Sequence, residues 1–140
     1  MKALIDTNVL IYDTFEDSIF HRDARKLLDS LNIWYLPLIV LYEYVWFMKG
    51  LGVSAKDVYD KVLEYIESER TRVVAETGKI ILSALSLILD ENISLSRFND
   101  KALIQIALEG KLPIASYDRK LRSQAQKHGI TILPPHIPKI

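Results

Sequence analysis

The chain contains no cysteine. This excludes disulfides, thiolate-bound metals and a cysteine nucleophile, and it agrees with an intracellular setting. Glycine and proline are scarce, five of each, so composition gives no flexible linker and no low-complexity segment. The glycines are also misplaced for a loop that cradles phosphate. Gly50 and Gly52 follow an apolar run, Gly78 precedes another, and none stands in a G-x-G-x-x-G or G-K-[ST] context. Neither sign of charge is in excess, with 18 Lys and Arg against 18 Asp and Glu. No overall field therefore draws the protein to nucleic acid or an anionic membrane, and a polyanionic partner has to be held locally. No apolar run reaches the roughly 18 residues of a membrane span. Asp6 and Asn8 interrupt the apolar start where a secretion signal needs a continuous core. The expectation is a cytoplasmic protein with no membrane contact.

What is present suits an ordinary folded protein. Hydrophobic residues make up 49% and charged residues 26% of the 140, enough for one domain over residues 1–140 with a core of its own. KALID (2–6) reads as a short buried strand, with a helix starting at Thr7-Asn8. FHRDARKLLDSL (20–31) has helical spacing. NIWYL (32–36) is β-rich, and Pro37 suits a first helical turn. LIVLYEYVWFMKGLG (38–52) predicts a largely buried helix stopped by glycine. SAKDVYDKVLEYIES (54–68) predicts an amphipathic helix capped by Ser54, with Val58, Val62, Tyr65 and Ile66 as its apolar stripe. A strand over 72–76 and a helix over 77–92 follow. A helix over 96–110 is expected next, capped by Ser96 and closed by Gly110. LPIASY (112–117) is a strand, DRKLRSQAQKHG (118–129) a basic helix and ITIL (130–133) a last strand, before the Pro-rich tail 134–140. Strands alternating with helices of this length predict an α/β fold with a mostly parallel central sheet flanked by helices. Ligands in such folds sit at the carboxyl ends of the strands. Asp6 and Asp118 fall there.

Four carboxylates are hard to place as ordinary surface charge. Asp6 interrupts LIDTNVLIY, and an ionised carboxylate in such a run needs a cap role, a partner or a metal. Glu43 is the single charge between Leu36 and Met48. Asp100 shares a helical face with Leu103, Ile104 and Ala107, which should pack on the core. Asp118 stands between a strand and a helix. Each of Asp6, Asp100 and Asp118 has a plain alternative as a helix cap or first-turn acid. Converging on one site, the four would repel unless a cation neutralised them. An all-oxygen set with no cysteine and no paired histidine suits Mg²⁺ or Mn²⁺ rather than zinc. His21, His128 and His136 lack ligand spacing and are expected at the surface.

At these residues the chain resembles the PIN-domain family, and within it the small VapC-type toxins. The resemblance rests on LIDTNVLIY, LYEY with Glu43, NDKALIQIALE with Asp100, and ASYDRKL with Asp118, in this order along nearly the whole chain. It implies a single PIN-like domain in which Asp6, Glu43, Asp100 and Asp118 bind one or two Mg²⁺ or Mn²⁺ ions, while Asn8 and Ser116 orient the site. It implies a metal-dependent endoribonuclease acting on RNA, the toxin of a VapBC-type pair, with an antitoxin protein as partner and a homodimer as the assembly. Tyr117 departs from the family pattern, which commonly has Asn between the Ser or Thr and the last Asp. Arg119, Lys120 and Arg122 on the basic last helix are the cations expected to guide the RNA, or to meet an antitoxin.

Competing readings fit less well. A phosphatase of the haloacid-dehalogenase type needs a second Asp two positions after the first, where this chain has Asn8. A receiver domain needs an acidic pair near the start together with a phosphoacceptor Asp and a Lys, which find no match. Two further alternatives keep the fold: a non-catalytic PIN scaffold that acts by binding, and a PIN nuclease of RNA processing with no toxin role.

Overall fold

The computed structural model describes residues 1–139. Five strands form one wholly parallel sheet in the order β3-β2-β1-β4-β5. They are β1 (Lys2–Ile5), β2 (Ile33–Pro37), β3 (Thr71–Val74), β4 (Ile114–Ala115) and β5 (Ile132–Leu133). Seven helices connect and cover them: α1 (Thr7–Thr14), α2 (His21–Ser30), α3 (Leu38–Gly50), α4 (Ala55–Glu67), α5 (Gly78–Glu91), α6 (Phe98–Gly110) and α7 (Arg119–Lys127). The expected α/β class with a parallel sheet is observed. β1 lies at the centre, with Leu4 paired to Tyr35 on one side and to Ile114 on the other. A strand covered on both faces has no reason to alternate, and Ala3, Leu4 and Ile5 are all fully buried. No helix among the described residues is long and apolar enough to cross a membrane.

Several boundaries differ from the sequence reading, each for a local reason. Pro37 ends β2 and occupies the N-cap of α3 instead of its first turn. β3 stops at Val74, and Glu76 beyond it accepts a hydrogen bond from the Ile39 backbone N–H at 3.0 Å, supplying the acceptor that Pro37 lacks. Ser96 does not cap α6. The hydroxyl of Ser94 instead caps a short 3₁₀ turn, Leu95–Arg97, which leads into α6 at Phe98. Ser54 and Thr77 cap α4 and α5 through their side chains. α3 is buried on one face only: Val40, Leu41, Tyr44 and Met48 pack inward, while Tyr42, Val45, Trp46 and Phe47 are exposed. Ile66 likewise faces outward beside buried Tyr65. The tail turns back so that Ile137 packs against the core, and Ile140 lies outside the described residues.

Two buried polar links tie the helices together. The Lys101 ammonium, 1% exposed on α6, lies 2.7 Å from Glu91 of α5 and donates to Gln124 of α7 at 2.6 Å. On the other side of the sheet the Tyr65 hydroxyl of α4 donates to Asp13 of α1 at 2.7 Å, and the second oxygen of Asp13 pairs with Arg25 at 3.0 Å. Burial, reinforced by the charge of Asp13, pushes the Tyr65 phenol well above its ordinary pKa, so it stays a donor. Removing the hydroxyl with Tyr65→Phe leaves one buried oxygen of Asp13 without its donor. We expect a loss of about 1–3 kcal/mol in urea unfolding, and an unchanged midpoint would show that the link carries no stability.

Candidate active site

The carboxyl ends of the strands gather the acids singled out by the sequence. Asp6 follows β1 and is the N-cap of α1, one oxygen accepting the Thr7 backbone N–H at 2.8 Å. Its other oxygen accepts from the Ser116 hydroxyl at 2.7 Å and the Asn8 side-chain amide at 3.0 Å. The cap alternative is thus correct for half of this carboxylate. The remaining half is held by two side chains from opposite ends of the chain.

Asn8 and Ser116 form the joint between α1 and the segment after β4. The Asn8 side-chain oxygen accepts the Tyr117 backbone N–H at 2.9 Å, and its amide also lies 3.3 Å from the Ser116 hydroxyl. The Ser116 oxygen accepts from the Asp118 backbone N–H at 3.0 Å. Asp118 in turn caps α7, with Oδ1 accepting from Lys120 N at 2.9 Å and Leu121 N at 3.4 Å. Tyr117 contributes its backbone to this joint and turns its side chain away. The ring stacks on Phe20 at 5.0 Å, meets Tyr12 edge-on at 5.2 Å, and its hydroxyl donates to Asp23. An aromatic residue is tolerated between Ser116 and Asp118 because only the main chain at this position faces the site.

Glu43 reaches the same region from α3. Thr7 donates to one of its oxygens at 2.8 Å and Asn99 of α6 to the other at 3.0 Å. Asp100, the next residue on α6, lies 3.6 Å from Arg97. Sequence reasoning missed Thr7 and Asn99. Both stand beside acids it had marked, but their target is 36 and 56 residues away, and no helical or strand period encodes such a contact.

The electrostatics follow from this assembly. Burial raises the Asp6 pKa from 3.8 to about 7; the bonds from Ser116 and Thr7 oppose the rise, and the charges of Glu43 and Asp100 add to it. Asp100 is raised as well, first by burial and then by Asp118, with Arg97 acting against them and Glu43 adding to the rise. Asp6 therefore feels Glu43 and Asp100, and Asp100 feels Asp118 and Glu43. Among the described residues, Asp6, Glu43 and Asp118 have no basic side chain within 4.0 Å. Their hydrogen-bond donors are hydroxyls, amides and backbone N–H groups, which orient carboxylates without cancelling their charge. Among the described residues, no three His, Asp or Glu side chains are close enough to hold one ion between them.

The cations expected to guide RNA are divided. Arg119 and Lys120 are exposed at the start of α7. Arg122 is not at the surface: it is 7% exposed and donates to the carbonyls of Ser116 at 2.9 Å and Pro135 at 3.4 Å. The helical period of α7 turns position 122 toward the core with Leu121 and Ala125.

The profile of the PIN domain matches residues 3–132. The chain belongs to the PIN-domain family. Among curated proteins no sequence relative matches. Among solved structures, this PIN domain is similar to Mycobacterium tuberculosis VapC20, described as a toxin that cleaves the sarcin-ricin loop. The TM-score is 0.74 at 15% identity, over 87% of this chain and 94% of that one. It is similar also to FitAcB from Neisseria gonorrhoeae, with a TM-score of 0.67 and 19% identity over 98% of this chain and all of that one, 100%. A toxin-antitoxin complex from Klebsiella pneumoniae gives 0.64 and 18%, over 97% and 99%. At these identities the likeness is one of fold.

A pH dependence follows from Asp6. Its folded pKa, about 7, lies above the unfolded value of 3.8, so between these values the folded protein holds a proton that the unfolded chain has lost. Stability therefore falls as pH rises from about 4 to 7. Asp6→Asn keeps an acceptor for Thr7 and a group that can bond Ser116, but sets a second amide nitrogen against that of Asn8, a cost that does not change with pH. In EDTA we expect the native protein to lose roughly 1–3 kcal/mol relative to the variant in urea unfolding between pH 4 and pH 8. A gap between the two that stays constant over this range would contradict the assignment.

Proposed function

We propose that this PIN domain is a metal-dependent endoribonuclease and the toxin of a VapBC-type toxin-antitoxin pair, acting in the cytoplasm on RNA. One observation carries the reading: carboxylates from separate elements meet at the carboxyl edge of the sheet, Asp6 raised in part by Glu43 and Asp100 and Asp100 in part by Asp118 and Glu43, with Arg97 beside Asp100 as the one cation within ion-pair distance of the set among the described residues. Such an arrangement is unfavourable unless protons or cations enter it.

The donor set fits Mg²⁺ or Mn²⁺. It is entirely oxygen, and such ions keep several waters while taking one or two carboxylates directly, so a spacing in which no three acids close on one point is suitable. Asp6, Glu43, Asp100 and Asp118 would share the holding of one or two ions, each ion taking one or two of these carboxylates directly and water at its other positions. Divalent ions at such a site supply an activated water and offset the charge of the phosphodiester. The protein's own contribution is orientation. Asn8 and Ser116 fix Asp6, and Thr7 and Asn99 fix Glu43, so that the carboxylates cannot turn away from the site. Arg119 and Lys120, exposed beside Asp118, would guide the strand. With local charges holding the RNA, a net charge of zero is no obstacle.

The toxin role is supported by the solved structures that share the fold, several of which are toxins or toxin-antitoxin complexes. The exposed apolar face of α3, with Trp46 66% and Tyr42 63% exposed, supports a protein partner, an antitoxin or a second copy in a homodimer.

The decisive experiment is cleavage of end-labelled RNA with Mg²⁺ or Mn²⁺, with EDTA as the control. Asp6→Asn is expected to lower the rate by about 100-fold or more. A folded native protein that binds Mn²⁺ and cuts no RNA offered would favour the scaffold reading. Asn99→Ala, which frees one oxygen of Glu43, is expected to weaken Mn²⁺ binding roughly 10-fold in calorimetry without RNA; an unchanged affinity would remove Asn99 from the site.

A further inference from the structure

A concave surface of positive charge lies against α7, the helix that Asp118 caps. Between α7 and the tail 134–139 is a groove with a cavity volume of about 550 Å³, and among the described residues no carboxylate lines it. Its polar lining is Arg119, Arg122, Ser123, Gln126, His136 and Lys139. In a chain with equal numbers of acids and bases, a hollow lined by three permanent cations and, among the described residues, by no acid is a marked local departure.

Arg122 lines this groove from below, more than nine-tenths buried. Its two bonds go to backbone carbonyls, which satisfy N–H donors without cancelling the charge, and they engage only part of a fork of five donors. Arg119 and Lys139 are exposed. Among the described residues none of the three cations lies within 4.0 Å of a carboxylate. Burial lowers the pKa of Arg122, Tyr117 acts against the fall, and the like charge of Arg119 adds to it. The groove therefore concentrates positive charge with no carboxylate at ion-pair distance among the described residues.

Its position relates it to the acids. Arg122 bonds the carbonyl of Ser116, and the hydroxyl of the same residue donates to Asp6. Arg119 directly follows Asp118. We propose that the groove between α7 and the tail binds backbone phosphates of a single-stranded nucleic acid, so that a strand engaged at the acidic site continues past Arg119 and is held by Arg119, Arg122 and Lys139. The assignment of that strand as RNA rests on the nuclease reading above. An acidic peptide could meet the same cations, but only a phosphodiester strand would use the groove and the acidic site together. The groove also supplies the local hold that a chain of zero net charge requires for a polyanion.

The test measures binding of a fluorescein-labelled single-stranded RNA of mixed sequence by anisotropy, in EDTA, at several salt concentrations. The proteins are native, Arg119→Gln with Lys139→Gln, and a control with Lys49→Gln and Lys79→Gln, exposed cations that do not line the groove. The groove variant is expected to bind several-fold more weakly at low salt, and its slope of log K against log salt to be shallower by about 1.4, some 0.7 for each phosphate that is no longer neutralised. The control should match the native protein more closely in both. Equal affinity and slope for native and groove variant, or the same weakening in the control, would overturn the proposal. So would loss of binding to a labelled poly-glutamate peptide with RNA binding unchanged. Metal-dependent cutting by the native protein is scored separately: cutting without a groove effect removes the groove alone, whereas a groove effect without cutting removes the nuclease and leaves the groove.

Discussion

The structure depends on a carboxylate placed where the central strand ends. Asp6 is 8% exposed, and a charge so placed has to be surrounded by donors. Those donors come from Thr7 and Asn8 at the start of α1 and from Ser116 beyond β4. By accepting from all three, Asp6 fixes the first helix to the first strand and joins the N-terminal part of the chain to the C-terminal part. Asn8 and Ser116 carry the connection onward to Tyr117 and Asp118. What looks like a local interruption of an apolar run is the point at which the segments that follow β1 and β4 are joined.

The sheet and most helices were legible because each has its own periodicity and boundary chemistry. Ser54 and Thr77 stand before runs with clear apolar stripes, and both cap as such residues should. Where the sequence misled, the controlling residue was elsewhere. Ser96 is a reasonable cap for α6, but Ser94 captures the turn first. Glu76 extends the apparent third strand, yet it is drawn off to the start of α3, whose own N-cap residue is proline. α3 looked buried throughout because its residues are apolar all round, and composition does not tell a buried face from an exposed one.

The acids were legible as anomalies, each being a charge in apolar surroundings or at a strand end. Their supporting residues were not. Thr7 and Asn99 orient Glu43 across long sequence separations, and nothing about a threonine or an asparagine beside an acid distinguishes a distant partner from solvent. Arg122 shows the converse. Its charge drew attention as part of a basic helix, but its helical phase turns it inward, where it bonds the main chain at both ends of the β4-to-tail segment. Charge says which residues matter more readily than it says which way they face.

The bond between Ser116 and Asp6 spans 110 positions. Because β1 pairs with β4 in the centre of the sheet, the first strand cannot complete its surroundings until the last third of the polypeptide has been made. Non-local pairing of this kind slows folding. During synthesis on the ribosome, the acidic site therefore stays incomplete for most of elongation. Any chemistry that the site performs is confined to a chain that has been translated past residue 118, and a truncated product ending before β4 would carry Asp6 and Glu43 without the hydroxyl that holds Asp6 in place.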